Sequence, residues 1–241
     1  MVEGTNAAVS ALLGLADRPT SVFAELASSD LRSLAEQATL VTYQPGETLY
    51  VQGTPTVGHH VVFQGWVKVV HRAPDGKTRL LGIASDQDGE LIPPFPVDSQ
   101  QTHMASAVAL QSTREALIDR GAFRDWLEAH PDAAIQASKR AGDWFRYVVQ
   151  ELTQTDYYAT VEQQLARKLS EAADRFGTVD DDGHTIIDVP LTRQDWADWV
   201  GHSREATTKL FRRWQRAGLV DFRDSEIRIL RAGELRNLVP E

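Results

Sequence analysis

A chain of 241 residues that is 42% hydrophobic, with a formal net charge of −9, holds enough apolar mass for one or two folded cores. It has no cysteine, which excludes a disulfide framework, a thiolate zinc site and a cysteine-held iron–sulfur cluster. No apolar run approaches the roughly 20 residues of a membrane span. An acid, Glu3, and no basic residue precede the short apolar run Val9 to Leu15, so the start does not read as a signal peptide. We therefore expect a cytoplasmic protein without membrane contact.

Residues 1–20 are small and polar apart from that run, and are expected to form a partly ordered arm. Phe23, Leu26, Leu31 and Leu34, with Ser29-Asp30 as a cap, indicate a short helix that opens a domain over 21–131. From Leu40 to about Arg120 short β-rich runs alternate with turn residues, and Asp75-Gly76 between two of them is a hairpin signal. Six to eight such strands at regular spacing read as a jelly-roll β-barrel. Phe123 to His130 is a short helix ended by Pro131. A long helix begins at Asp132, in a segment 132–159 that holds the helix and a hinge. Ala134, Ser138, Ala141, Phe145, Val148 and Leu152 recur at alternating steps of four and three, the a/d seam of a coiled coil.

The last segment, 160–241, begins with the capping box Thr160-Val161-Glu162-Gln163 and a helix to Phe176. An acidic loop over 177–183 and a strand from His184 to Val189 follow. Thr192 then caps a helix, with Asp195 completing the box, and Trp196, Trp199 and Val200 form its apolar stripe. Gly201 is the stop. Ser203 caps a second helix whose apolar face is Thr207, Leu210, Phe211 and Trp214. Its other side carries Arg204, Lys209, Arg212, Arg213 and Arg216 against one acid, Glu205, a net of +4 on an acidic chain. Two helices around a glycine turn, with a reversal of charge, read as a helix-turn-helix that meets phosphate. Val220 and Phe222, then Ile227 and Ile229, alternate around Arg223-Asp224-Ser225-Glu226, a hairpin that completes a winged helix.

The run from Leu191 to Val220, with its Thr192-Arg193-Gln194-Asp195 and Ser203-Arg204-Glu205 starts, resembles the catabolite activator/fumarate–nitrate regulator (Crp/Fnr) family of bacterial transcription factors. The phrases Pro45 to Gly53 and Gln64 to Val69 resemble the same family's cyclic-nucleotide-binding fold. The resemblance implies an α+β architecture: a cyclic-nucleotide-binding-like barrel, a dimerisation helix and a winged helix-turn-helix. It also implies a homodimer on palindromic double-stranded DNA, with half-sites like TGTGA, and RNA polymerase as a partner where the protein activates. By that resemblance Arg204, Glu205 and Lys209 read bases, while Thr192, Arg193, Ser203 and Arg212 contact phosphates. Ala141, Phe145, Val148 and Leu152 form the dimer seam. No G-x-x-x-x-G-K, H-E-x-x-H or G-x-S-x-G motif occurs, so an enzyme with a regulatory barrel is the weaker reading.

The effector side departs from the family. Nucleotide-binding members use a Gly-Glu pair and an Arg-Ser or Arg-Thr pair. Here Gly89-Glu90 falls on an earlier turn, Pro93-Pro94 on the first pair and His103-Met104 on the second. No Arg or Lys stands between Arg79 and Arg114, leaving a cyclic phosphate without a cation. A pocket around Glu90, Ile92, Phe95, His103, Met104 and Val108 is expected to take something other than cyclic AMP. No cofactor is predicted outright. Haem in a gas-sensing regulator, with His59, His60, His71 or His103 as axial ligand, a small organic effector, no ligand, or a cyclic AMP response through a non-standard pocket with Glu90 as its acid all remain open.

Overall fold

The computed structural model describes residues 2–16, 21, 23, 26–85, 91–92, 102–154, 160–223 and 226–239. These fall into two compact units, one of residues 1–71 with 82–148, the other of 72–81 with 149–241.

The first unit opens with a correction. The expected arm is a helix, α1 (Val2–Ala16). Ala8, Leu12 and Leu15 sit four and three residues apart and are buried together, so one apolar stripe orders the segment. Helix α2 (Ser28–Ala35) follows, buried through Leu31, Leu34 and Ala35. Ser29-Asp30 lies inside its first turn and does not cap it. Ala27 takes the cap position without a side-chain bond, and the Ser29 hydroxyl donates to Asp30 instead.

Eight strands among the described residues build the barrel: β1 (Ala38–Tyr43), β2 (Thr48–Tyr50), β3 (Gly58–Gln64), β4 (Trp66–Arg72), β5 (Thr78–Ser85), β6 (Leu91–Ile92), β7 (Ser106–Ala109) and β8 (Thr113–Asp119). They form two four-stranded sheets, ordered β1-β8-β3-β6 and β2-β7-β4-β5. Strand β8 lies between β1 and β3, antiparallel to both, with Leu40 opposite Ala116 and Val61 opposite Ala116. The core between this sheet and the helices gathers Val61, Ala116 and Ile118 with Phe23, Leu31, Phe123 and Trp126.

Helix α3 (Arg120–Ala129) is capped by the Asp119 carboxylate, which accepts from the amides of Gly121 and Ala122. Helix α4 (Pro131–Gln154) begins one residue before the expected start. Pro131 opens it, because a first-turn residue needs no amide proton for the helix ladder. Trp144 rests against Gly82 of β5, where an added Cβ would stand 3.3 Å from the indole. A side chain there would need the indole to give by a few tenths of an ångström, so glycine suits the close approach.

In the second unit, helix α5 (Val161–Phe176) starts with the predicted Thr160–Gln163 capping box. The expected loop over 177–183 begins as a strand. There β9 (Gly177–Val179) pairs with β10 (Thr185–Ile187), because Gly177 to Val179 has a facing strand to complete. Helix α6 (Arg193–Val200) and helix α7 (Arg204–Arg216) come next. They are followed by β11 (Val220–Arg223), β12 (Glu226–Ile229) and α8 (Ala232–Arg236). The sheet order is β11-β12-β10-β9, so the wing is sewn to the strands that precede the helix-turn-helix. No described helix is long and apolar enough to cross a membrane.

Candidate nucleic-acid interface and the barrel interior

The two helices of the motif are set by their ends. The Thr192 hydroxyl accepts from the amide of Asp195, and Asp195 accepts from the amide of Thr192, closing the box. Gly201 then turns with φ 71°, a left-handed conformation that costs an L-residue about 1–2 kcal/mol. The Ser203 hydroxyl accepts from the amide of Ala206 and starts α7. At 100° per residue, buried Thr207, Phe211 and Trp214 occupy a stripe of roughly 60°. Glu205, Lys209, Arg212 and Arg216 lie on the arc across from it, Arg204 stands beside its edge in the first turn, and all five are exposed. Leu210, expected on the apolar face, is only half-buried at its edge.

The buried side is aromatic. Phe211 meets Trp196, Trp214 and Phe222 edge-on at 6.0, 6.0 and 5.3 Å between ring centres. Glu162 of α5 pairs with Arg213 and accepts from the Trp214 indole at 2.9 Å, fastening α7 to α5. The hydrogen bond from Arg213 holds the Glu162 carboxyl below its usual range. Lys168 is fully buried yet satisfied, with its ammonium 2.9 Å from Glu171 and 4.9 Å from the Trp199 ring centre. His202 in the turn contacts Gln164 at 2.7 Å, and burial pushes its imidazole below the ordinary value.

The expected DNA contacts divide into two groups. Arg204, Glu205 and Lys209 make no hydrogen bond or ion pair with other described residues, and each projects from the first two turns of α7. Thr192, Ser203 and Arg212 are exposed near them in sequence. Arg193 is different. Its guanidinium lies 3.8 Å from the Phe222 ring centre and 4.3 Å from that of Phe211. Burial lowers its pKa, although it stays a cation. It therefore clips the wing to α7, a role the sequence reading missed.

On α4, Phe145 is 69% exposed, and Ser138 and Val149 face solvent on the same helix. Ala134 and Ala141 are half-buried. The side chains of Val148 and Leu152, like all of Glu90 and Phe95, lie outside the described residues, as do the Gly89-Glu90 and Pro93-Pro94 pairs.

The barrel alters the expected pocket. Strand β6 places Ile92 opposite His60. His103, Ala105, Ala107 and Ala109 are buried in strict alternation, whereas Met104 is 82% exposed. Met104 is therefore not a pocket residue. Side chains alternate across a strand, and His103 takes the inward place. Inside, the Tyr43 hydroxyl donates to Glu115 at 2.7 Å, and the same carboxylate lies 3.0 Å from His60 Nδ1. His59, next along β3, points the other way and packs on Phe123 at 4.3 Å. Burial, then the charges of His60 and Arg120 against an opposing pull from Asp119, lowers His59 to about 4. His71 is directed to the Met104 carbonyl at 3.0 Å. Sequence reading missed Glu115, whose charge inside an apolar strand was the available signal. Among the described residues, one group of three gathers metal-type ligand atoms: Asp180, Asp182 and His184 in the turn between β9 and β10.

These features coincide with two known domains. The Crp-like helix-turn-helix domain matches residues 163–238, and the cyclic nucleotide-binding domain matches residues 40–130. The chain belongs to the Crp/Fnr family. It is a Crp/Fnr-type transcription regulator with a DNA-binding helix-turn-helix. Among curated relatives is the CRP-like cAMP-activated global transcriptional regulator of Mycobacterium tuberculosis. It is 29% identical over 190 residues, 78% of this chain and 82% of that protein. The nitrogen fixation regulation protein FixK of Bradyrhizobium diazoefficiens is 21% identical over 209 residues, 84% of this chain and 83% of that protein. The solved structure of FixK2 from Bradyrhizobium japonicum shares the fold. Its TM-score is 0.72 at 19% identity, over 85% of this chain and 98% of that one.

Proposed function

We propose that this Crp/Fnr regulator binds a palindromic promoter site as a homodimer and does so without a cyclic nucleotide. The observation that carries the reading is the bare exposure of Arg204, Glu205 and Lys209 on the cationic arc of α7. Arg204 presents a planar fork that suits guanine O6 and N7, and Glu205 accepts from a cytosine amine. Lys209 donates to a guanine as a point charge and discriminates less sharply. Thr192, Ser203 and Arg212 hold phosphates. Arg193 supports them by holding the wing. A two-fold dimer through α4 would cover the apolar Phe145 and set half-site centres about 34 Å apart. Where the protein activates, RNA polymerase is the further partner.

The nucleotide-free part of the reading rests on charge. Between Arg79 and Arg114 the chain offers no Arg or Lys, and Arg114 itself lies over the Phe63 ring at 5.1 Å. Burial, reinforced by His60, keeps His103 below its ordinary value, so it is a neutral imidazole at cytoplasmic pH. A buried cyclic phosphate would face no fixed cation.

The test is a binding titration of promoter fragments selected by genome-wide mapping, against random DNA and over a salt series. The expected motif has two-fold symmetry, and affinity falls steeply with salt. Millimolar cyclic AMP leaves operator affinity unchanged. A motif without symmetry refutes the dimeric reading. Low-micromolar cyclic AMP binding with a matching gain in operator affinity refutes the nucleotide-free one.

A further inference from the structure

Tyr50, His60 and His103 are 7, 2 and 4% exposed and lie together inside the barrel. Their ring centres stand 4.0 Å apart for Tyr50 and His103, 5.0 Å for Tyr50 and His60, and 6.1 Å for the two imidazoles. Among the described residues, three of their polar atoms find no hydrogen-bond partner: the Tyr50 hydroxyl, His60 Nε2 and His103 Nδ1. Folded proteins pair the great majority of such groups, and orphans call for a specific explanation. Here three orphans share one cluster, supplied by β2, by β3 and by the residue three positions before β7.

Their chemistry points to a guest. Two are imidazole nitrogens and one is a phenol oxygen, bases that borderline divalent metals bind. His60 is also held as metal-ligating histidines are held. Its Nδ1 faces the Glu115 carboxylate at 3.0 Å, and Glu115 is itself fully buried and fixed by the Tyr43 hydroxyl. A carboxylate oxygen only accepts, so Nδ1 is the donor in this contact and Nε2 is the nitrogen left without a partner among the described residues. Charge agrees. Among the described residues Glu115 accepts from Tyr43 and His60 and pairs with no Lys or Arg. Two imidazoles on one tetrahedral zinc at about 2.0–2.1 Å hold their ring centres roughly 5.2 Å apart, so the 6.1 Å between His60 and His103 must close by about 1 Å on binding.

We propose that Tyr50, His60 and His103 form a binding site for one divalent first-row transition-metal ion, ligated through His60 Nε2 and His103 Nδ1. Tyr50 stacks on the His103 ring at 4.0 Å and walls the site, and Glu115 orients His60 from behind. The site would link β2 and β3 to the strand edge at His103 through one ion. The proposal goes beyond the DNA-binding reading and does not depend on it.

The test uses the full chain, stripped with a chelator and titrated with Co²⁺ and then Zn²⁺. One Co²⁺ per chain is expected, with a ligand-field absorption band that Zn²⁺ abolishes. His60→Gln and His103→Gln should each weaken binding about 100-fold or more, and Glu115→Gln about 10–100-fold. Tyr50→Phe keeps the ring stack and removes the oxygen alone, so the affinity should hold there. Absence of saturable uptake by the unaltered chain overturns the proposal, whatever the variants do. So does uptake that persists undiminished in both histidine variants. Loss on Asp182→Asn in their place puts the ion in the β9–β10 turn and overturns it too. Should the histidine variants fail to fold, ¹⁵N spectra of the unaltered chain decide. Zn²⁺ must shift His60 Nε2 and His103 Nδ1, and an unchanged pair of resonances rejects the site.

Discussion

In the recognition helix, Arg204, Glu205 and Lys209 face water and make no hydrogen bond or ion pair with other described residues, above an aromatic scaffold of Trp196, Phe211 and Trp214. In the barrel, Tyr43, Tyr50, His60, His103 and Glu115 turn their polar ends inward, toward one another. The first region keeps its chemistry apart from its stability. The second places polar groups where each must be satisfied or the fold suffers. Substitutions should therefore separate cleanly, changing binding without stability on α7 and changing both in the barrel.

The largest effect belongs to a residue that fits neither pattern. Phe145 is apolar and exposed in the isolated chain. Phe145→Glu should yield a monomer, because burying an unpaired charge at the seam costs several kcal/mol, and operator binding should fall with it. Sedimentation at micromolar concentration measures this, and an unaltered chain that is already monomeric refutes the seam.

Next is the pH response of His59. Its imidazole titrates near 6.5 when unfolded and about 4 when folded. Between those values the unfolded state binds more protons, so stability rises with pH across the window. Acidification from pH 6.5 to 4 should remove roughly 3 kcal/mol of stability through this group, and further acidification no more. Denaturant titrations of His59→Leu should lack that part of the slope. Parallel pH curves for the two chains would contradict the assignment.

Arg204→Ala sharpens the contrast from the other side. It should cost about 1–3 kcal/mol of operator binding and relax one base position, with stability moved by no more than about 0.5 kcal/mol. A loss of melting temperature as large as the loss of binding would mean that α7 is not separable after all. The smallest effects concern the scaffold under the readers. Gly201→Ala should destabilise by about 1–2 kcal/mol through its positive φ, and Thr192→Ala by about 1 kcal/mol through the lost cap. Calorimetry reads both, and the bound-site motif should not change in either.

What the sequence disclosed follows the same division. Thr160, Thr192, Gly201 and Ser203 announced helix ends because caps and left-handed turns are settled within a few residues. The alternation of His103, Ala105, Ala107 and Ala109 is equally local, and it conflicts with a pocket that holds both His103 and Met104, since neighbours in such a run face opposite ways. The pairing of His60 with Glu115, 55 residues apart, depends on β3 lying beside β8. No local spacing encodes that. The grip of Arg193 on Phe222 likewise requires the wing to fold back, so a positive charge near DNA was read as a phosphate contact. Helix α1 was legible in its 8, 12, 15 spacing, and small polar neighbours obscured it.

The clip of Arg193 between Phe211 and Phe222 bears on how such a regulator could change its targets over generations. Because α6, α7 and the wing are braced by buried rings and that one cation, the three outward side chains can be exchanged without rebuilding what holds them. A duplicate gene could drift at positions 204, 205 and 209 toward new operators while its product still folds. An experimenter could do the same with a small combinatorial library, leaving residues 193, 211 and 222 untouched.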